Sequence, residues 1–152
     1  MQPELLKELV DTLLGLLGAS GTVEVKTGAR TIVAVTTEDS KELVGPGGEH
    51  LRALNSVARR LVEQKHGVEA ASFLVDVNGY HEASLERVRG AARMLAQRAR
   101  LFKHDVEMEP LSAYERLVVH ELFANDPEIA TESTGEGKFR RIVLKYRQPV
   151  AN

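Results

Sequence analysis

The chain has 152 residues, 43% of them hydrophobic and 28% charged, with no cysteine and a formal net charge of −2. That composition is ordinary for a globular protein of one domain or two small ones. It excludes a disulfide framework, a thiolate zinc site and a cysteine nucleophile, and it supplies no global field for nucleic acid, so any such site must be a local patch.

Residues 4–17 place Leu5, Leu9, Leu13 and Leu16, joined by Leu6, Val10, Leu14 and Leu17, at helical spacing. Gly15 and Gly18 suit the end of that helix. Glu4, Glu8 and Asp11 interrupt the apolar pattern, which argues against a signal peptide and a membrane-surface helix. No apolar run approaches the roughly 20 residues of a membrane span, so the expectation is a cytoplasmic protein that is not membrane-inserted.

Thr22 to Lys26 and Arg30 to Thr36 alternate and are rich in Val, Ile and Thr, predicting a hairpin about Gly28. Asp39 opens a short helix, with Glu42 completing a predicted capping box. Gly45-Pro46-Gly47-Gly48 ends it, and a longer helix runs from about Gly48 to His66. The pattern buries Leu51, Leu54, Val57, Ala58 and Leu61 and leaves Arg52, Arg59, Arg60 and Lys65 outside. Phe73 to Val77 is a strand closed by Asn78-Gly79.

Tyr80 to His104 reads as one helix with a seam of Leu85, Val88, Ala92, Leu95, Ala99 and Phe102. Arg89, Arg93 and Arg100 form a stripe beside it, either a solvated edge or a phosphate-facing rim. Val106 to Met108 is a short strand. Ser112 and Glu115 make a second capping box, opening a helix that Asn125-Asp126-Pro127 stops after Phe123. Ile129 to Ser133 and Lys138 to Arg147 predict a second hairpin, joined by Thr134 to Gly137, and Gln148 to Asn152 a loose tail. On the last strand Ile142, Leu144 and Tyr146 point one way, and Arg141, Lys145 and Arg147 the other. The expected fold class is α+β in two small domains, residues 1–78 and 79–152.

Two constellations bear on chemistry. The glycines of Gly45-Pro46-Gly47-Gly48 allow a sharp turn and close approach of a ligand's backbone. The helix N-terminus that follows favours an anion such as phosphate, with Arg52 one turn in. The alternative is a turn that binds nothing. In the second half, Arg116 and His120 are four residues apart and share a helix face. Arg116 offers a planar donor fork to phosphate or a stacking surface to a base. His120 can donate, stack or carry charge, and Arg141 and Lys145 extend the positive surface. The seven aromatics are scattered, with no paired stacking platform. Enzyme readings find no H-x-x-x-H, H-E-x-x-H, Walker or G-x-S-x-G pattern, so no cofactor and no metal site is expected. His120-Glu121 with Asp126 is the one grouping that can be drawn as a hydrolytic site.

The order helix, strand, strand, helix, G-x-x-G, helix, strand over residues 1–78 resembles a type II KH domain, a fold that clamps single-stranded nucleic acid at that turn. Glu115-Arg116-Leu117-Val118-Val119-His120, Thr131 to Glu136 and Arg140 to Leu144 resemble the R-three-H domain, named for its Arg-x-x-x-His. The pairing is similar to the bacterial Jag family, also called SpoIIIJ-associated or KhpB-like RNA-binding proteins. The likeness continues through Leu74 to Val77, Tyr80 and Glu109-Pro110-Leu111.

The resemblance implies a non-catalytic regulator that binds single-stranded RNA, with single-stranded DNA as the alternative ligand. It also implies a link to cell-envelope growth or division in a bacterial cytoplasm, and as partners a second KH protein or a membrane-protein insertase. It places binding on Gly45, Pro46, Gly47, Gly48, Arg52, Arg116, His120, Arg141 and Lys145. The family usually carries basic residues inside the glycine turn, where Pro46 and Gly47 stand here, followed by Glu49. A separate N-terminal domain of many members is not expected within these residues, and roles tied to it are not carried over. The uncharged turn and net −2 charge favour the rival reading, a protein-interaction adaptor with weakened RNA affinity.

Overall fold

The computed structural model describes residues 1–150; Ala151 and Asn152, the end of the expected tail, lie outside the described residues. The chain divides into two units, Met1–His81 and Glu82–Asn152.

In the first unit, α1 (Pro3–Leu16) starts on a proline, tolerated where no intrahelical N–H is needed. It buries Leu6, Val10 and Leu14, with Leu9 and Leu13 at the margin. Leu5, Leu16 and Leu17 are exposed, against the sequence expectation, because eight apolar residues span more of the helix than one sheet can cover. β1 (Thr22–Lys26) pairs antiparallel with β2 (Thr31–Thr36), and β3 (Phe73–Val77) joins parallel to β2, giving the order β1-β2-β3. The parallel pair needs a crossover, supplied by α2 (Ser40–Val44) and α3 (Glu49–His66).

The capping box expected at Asp39 does not form. Its carboxylate instead accepts from the Ser20 amide at 3.0 Å, which ties the start of α2 to the loop before β1. On α3, Leu51, Leu54 and Ala58 are buried as expected, Leu61 is half-buried and Val57 is exposed. Asn55 and Val62 take the remaining core positions. Burying an amide is unfavourable unless it is bonded. Asn55 accepts from the Val75 amide at 2.8 Å and donates to the Val75 carbonyl at 2.8 Å and the Leu51 carbonyl at 3.0 Å. It therefore stands in for a neighbouring peptide along the outer edge of β3.

From Glu82 on, α4 (Tyr80–Phe102) belongs to the second unit, where its Ala92, Ala96 and Ala99 join a core with residues of a sheet of β4 (Val106–Glu107), β6 (Arg141–Tyr146) and β5 (Ile129–Thr134), in that order. Phe102, expected in the seam, is exposed and stacks on His104, with ring centroids 5.9 Å apart. α5 (Ala113–Leu122) has the expected capping box: the Glu115 amide donates to Ser112 Oγ and the Ser112 amide to Glu115 Oε2. Val119 and Phe123 join Ile129, Ile142 and Leu144 in the core. Lys138 is not in a strand. Gly137–Phe139 is a 3-10 turn, and β6 starts only at Arg141.

Candidate nucleic-acid interface

Gly45 leaves α2 with φ +72°, and a Cβ there would overlap the His50 ring. The ring is itself held, its Nδ1 2.7 Å from the Glu42 carbonyl. Pro46–Gly48 then forms a 3-10 turn, with Pro46 and Gly47 exposed and Gly48 buried beneath Tyr80. The amides of Gly48 and Glu49 donate to the carbonyls of Gly45 and Pro46, so two groups available for an anion in principle are engaged inside the turn. Arg52 folds back, its Nη1 donating to the Gly47 carbonyl at 2.8 Å. That bond places a cation at the turn and pairs it with no carboxylate.

In the second unit, Arg116 is half-buried and donates through Nη1 to the Leu111 carbonyl at 2.7 Å. A carbonyl orients a guanidinium without neutralising it, so the positive charge persists. Leu111 also donates its amide to the Arg140 carbonyl at 3.0 Å, which links Arg116 to the start of β6. His120 reaches across to β5: Nδ1 lies 2.6 Å from Thr131 Oγ1 and Nε2 lies 3.0 Å from Ser133 Oγ. A neutral imidazole donates through one nitrogen and accepts through the other, and a hydroxyl satisfies either role.

Cross-strand pairing fixes the faces. Thr131 opposes Leu144 and Ser133 opposes Ile142, so both hydroxyls lie on the helix-covered face. Arg141 and Lys145 alternate with those core residues and point to the other face. The structure thus brings Arg116 and His120 together on α5 and sets Arg141 and Lys145 behind the sheet. Lys145 pairs with Glu132 at 2.8 Å, and the hydrogen bond and charge of that carboxylate raise the ammonium above its ordinary pKa. Arg141 lies 3.9 Å from Glu107.

The arginine stripe of α4 is likewise committed. Arg89 meets Glu82 and Glu86, Arg93 meets Glu86, and Arg100 meets Asp126. Burial works against ionisation of Asp126, but the amides of Glu128 and Ile129, together with Arg100, outweigh it and hold the carboxyl below its ordinary pKa. The contacts of Asp126 are thus to those groups, whereas His120 faces hydroxyls, so the hydrolytic grouping drawn from sequence does not assemble. Among the described residues no cluster of three metal-ligating side chains occurs, and no helix is long and apolar enough to cross a membrane. Sequence reasoning missed the exposed Lys138-Phe139-Arg140 turn; its signal was a basic, aromatic run just after Gly135 and Gly137.

Three curated proteins are similar to this chain, each named RNA-binding protein KhpB. The one from Clostridium symbiosum is 28% identical over 111 residues, covering 73% of this chain and 50% of the relative. The one from Bacillus subtilis (strain 168) is 24% identical over 145 residues, covering 93% and 69%. The one from Lactiplantibacillus plantarum is 26% identical over 147 residues, covering 93% and 45%. The chain thus spans about half the length of two of these relatives. Residues 85–146, all within the second unit, match the family model of the R-three-H domain.

Proposed function

We propose that the chain is a non-catalytic protein that binds single-stranded RNA, with residues 1–78 as a KH-like domain and 79–152 as an R-three-H domain. The observation that carries this reading is Arg116: a half-buried guanidinium oriented by the Leu111 carbonyl and paired with no carboxylate among the described residues. A site built this way keeps a planar cation ready for phosphate or a base. The names of the similar proteins support RNA as the ligand. The finer reading is a post-transcriptional regulator in a bacterial cytoplasm, linked to envelope growth or division, with a KH protein or a membrane-protein insertase as partner.

One observation favours the adaptor alternative. A groove of about 470 Å³ lies beside the glycine turn, lined by apolar side chains including Leu13, Leu16, Leu17, Leu54 and Val57. Nucleic-acid backbone has no affinity for such a surface, whereas a partner's apolar side chains do. Crosslinking in cells followed by sequencing of the bound RNA separates the two. RNA recovered with the wild-type chain and depleted with Arg116→Ala is the expected result. Recovery of no RNA while a protein partner co-purifies supports the adaptor.

A further inference from the structure

We infer that the exposed turn from Gly135 to Arg141 is a base-stacking anchor for a single strand, with Phe139 as the platform and Lys138 and Arg140 as phosphate contacts. The inference rests on the RNA-binding reading of the second unit and adds to it a residue that selects for unpaired bases.

Five observations converge. Phe139 is 62% exposed and belongs to neither core cluster. Lys138 Nζ sits 5.3 Å from its ring centroid, so one cation already lies against the aromatic face. Lys138 and Arg140 pair with no carboxylate among the described residues, whereas Arg89, Arg93, Arg100 and Lys145 all do. The stretch from Gly135 to Arg141 carries one acid, Glu136, against three cations. Finally, the Arg140 carbonyl accepts from Leu111, whose own carbonyl orients Arg116, so this turn and the Arg116 fork are two bonds apart through a single residue.

The turn is also built to hold its shape. The Phe139 amide donates to the Glu136 carbonyl and the Arg140 amide to the Gly137 carbonyl, each at 3.2 Å. Gly135 has φ +87°, and a Cβ there would come 3.1 Å from the Phe139 carbonyl oxygen. A lone exposed phenylalanine is common on protein surfaces. An exposed one on a hydrogen-bonded turn, among cations with no carboxylate partner, is what a stacking site requires: the ring takes the face of a base, and the cations take the flanking phosphates. Duplex bases present no free face to it.

The test uses the full chain and a short mixed-sequence RNA carrying 2-aminopurine, whose fluorescence reports stacking. Phe139→Ala should weaken binding about tenfold, within the range that stacking contacts show, and reduce the fluorescence change. Its salt dependence should be unaltered, because no charge is lost. Phe139→Tyr should bind like wild type. The double change Lys138→Gln with Arg140→Gln should flatten the log–log salt slope by roughly 1.4, at about 0.7 per phosphate contact on a single strand. Circular dichroism checks that the variants fold. If Phe139→Ala binds as wild type while Arg116→Ala binds more weakly, the anchor is wrong and the RNA-binding reading stands. If the wild-type chain binds no RNA, both fall.

Discussion

A guanidinium is defined by the acceptor it faces, and Arg116 faces a carbonyl. Replacing it by alanine removes the fork and its charge and should lower affinity for single-stranded RNA about tenfold, on the scale of one or two charge-assisted contacts. Arg116→Lys keeps the charge but loses the planar geometry. It should recover less than half of the lost binding free energy in a titration at fixed salt; full recovery would mean that Arg116 acts only as a point charge. The Arg-x-x-x-His spacing was legible because helical periodicity places both side chains on one face. What His120 touches was not. Thr131 and Ser133 lie 11 and 13 residues away, and only the packing of α5 on β5 brings them to the ring. The same limit explains Lys145, whose position on the strand was readable but whose carboxylate partner was not.

Between elements, Asp126 does more than stop a helix. Its Oδ1 accepts from the Glu128 and Ile129 amides at 2.8 and 2.9 Å, turning the chain into β5, while Oδ2 meets Arg100 of α4. Its carboxyl is held below its ordinary pKa in the folded chain. The stabilisation is therefore fully present above the unfolded value of about 3.9 and is lost as pH falls through the lower folded value. Asp126→Asn should destabilise the second unit by about 1–3 kcal/mol at neutral pH. The gap to wild type should close as pH drops below about 4, which denaturant midpoints at pH 7 and pH 3 will show. A gap that stays constant would mean that the charge plays no part. The Asn125-Asp126-Pro127 stop was readable as local chemistry; the ion pair was not, because Arg100 is 26 residues away. Capping boxes show the same division. Ser112 forms its box with Glu115, whereas the Asp39 carboxylate accepts from Ser20, 19 residues earlier in the chain.

At the scale of the molecule, the net charge of −2 conceals how few cations are available. With the α4 stripe and Lys145 paired, the cations left uncommitted at the candidate sites are Arg52, Arg116, Lys138 and Arg140. About three or four phosphate contacts imply a log–log salt slope of roughly −2 to −3 for single-stranded RNA. A slope steeper than about −5, or equal affinity for duplex, would mean that a different and larger surface is in use. The order of helices and strands in both units was legible, because periods of 3.6 and 2 survive in the residues themselves. Strand order, the opposed faces of the second sheet and the commitment of each arginine depend on contacts between distant segments, and periodicity carries none of that.

Asn55 has a consequence for assembly. A sheet with a bare margin can recruit a strand from another molecule, and repetition of that event is the route to fibres. At the centre of β3, Val75 spends both its amide and its carbonyl on the Asn55 side chain, so an incoming strand finds no partner there. Asn55 thus interrupts pairing at the centre of that margin, while the opposite margin, at β1, carries the exposed Glu24 and Lys26. One buried amide therefore guards the middle of an otherwise open strand against edge-to-edge pairing.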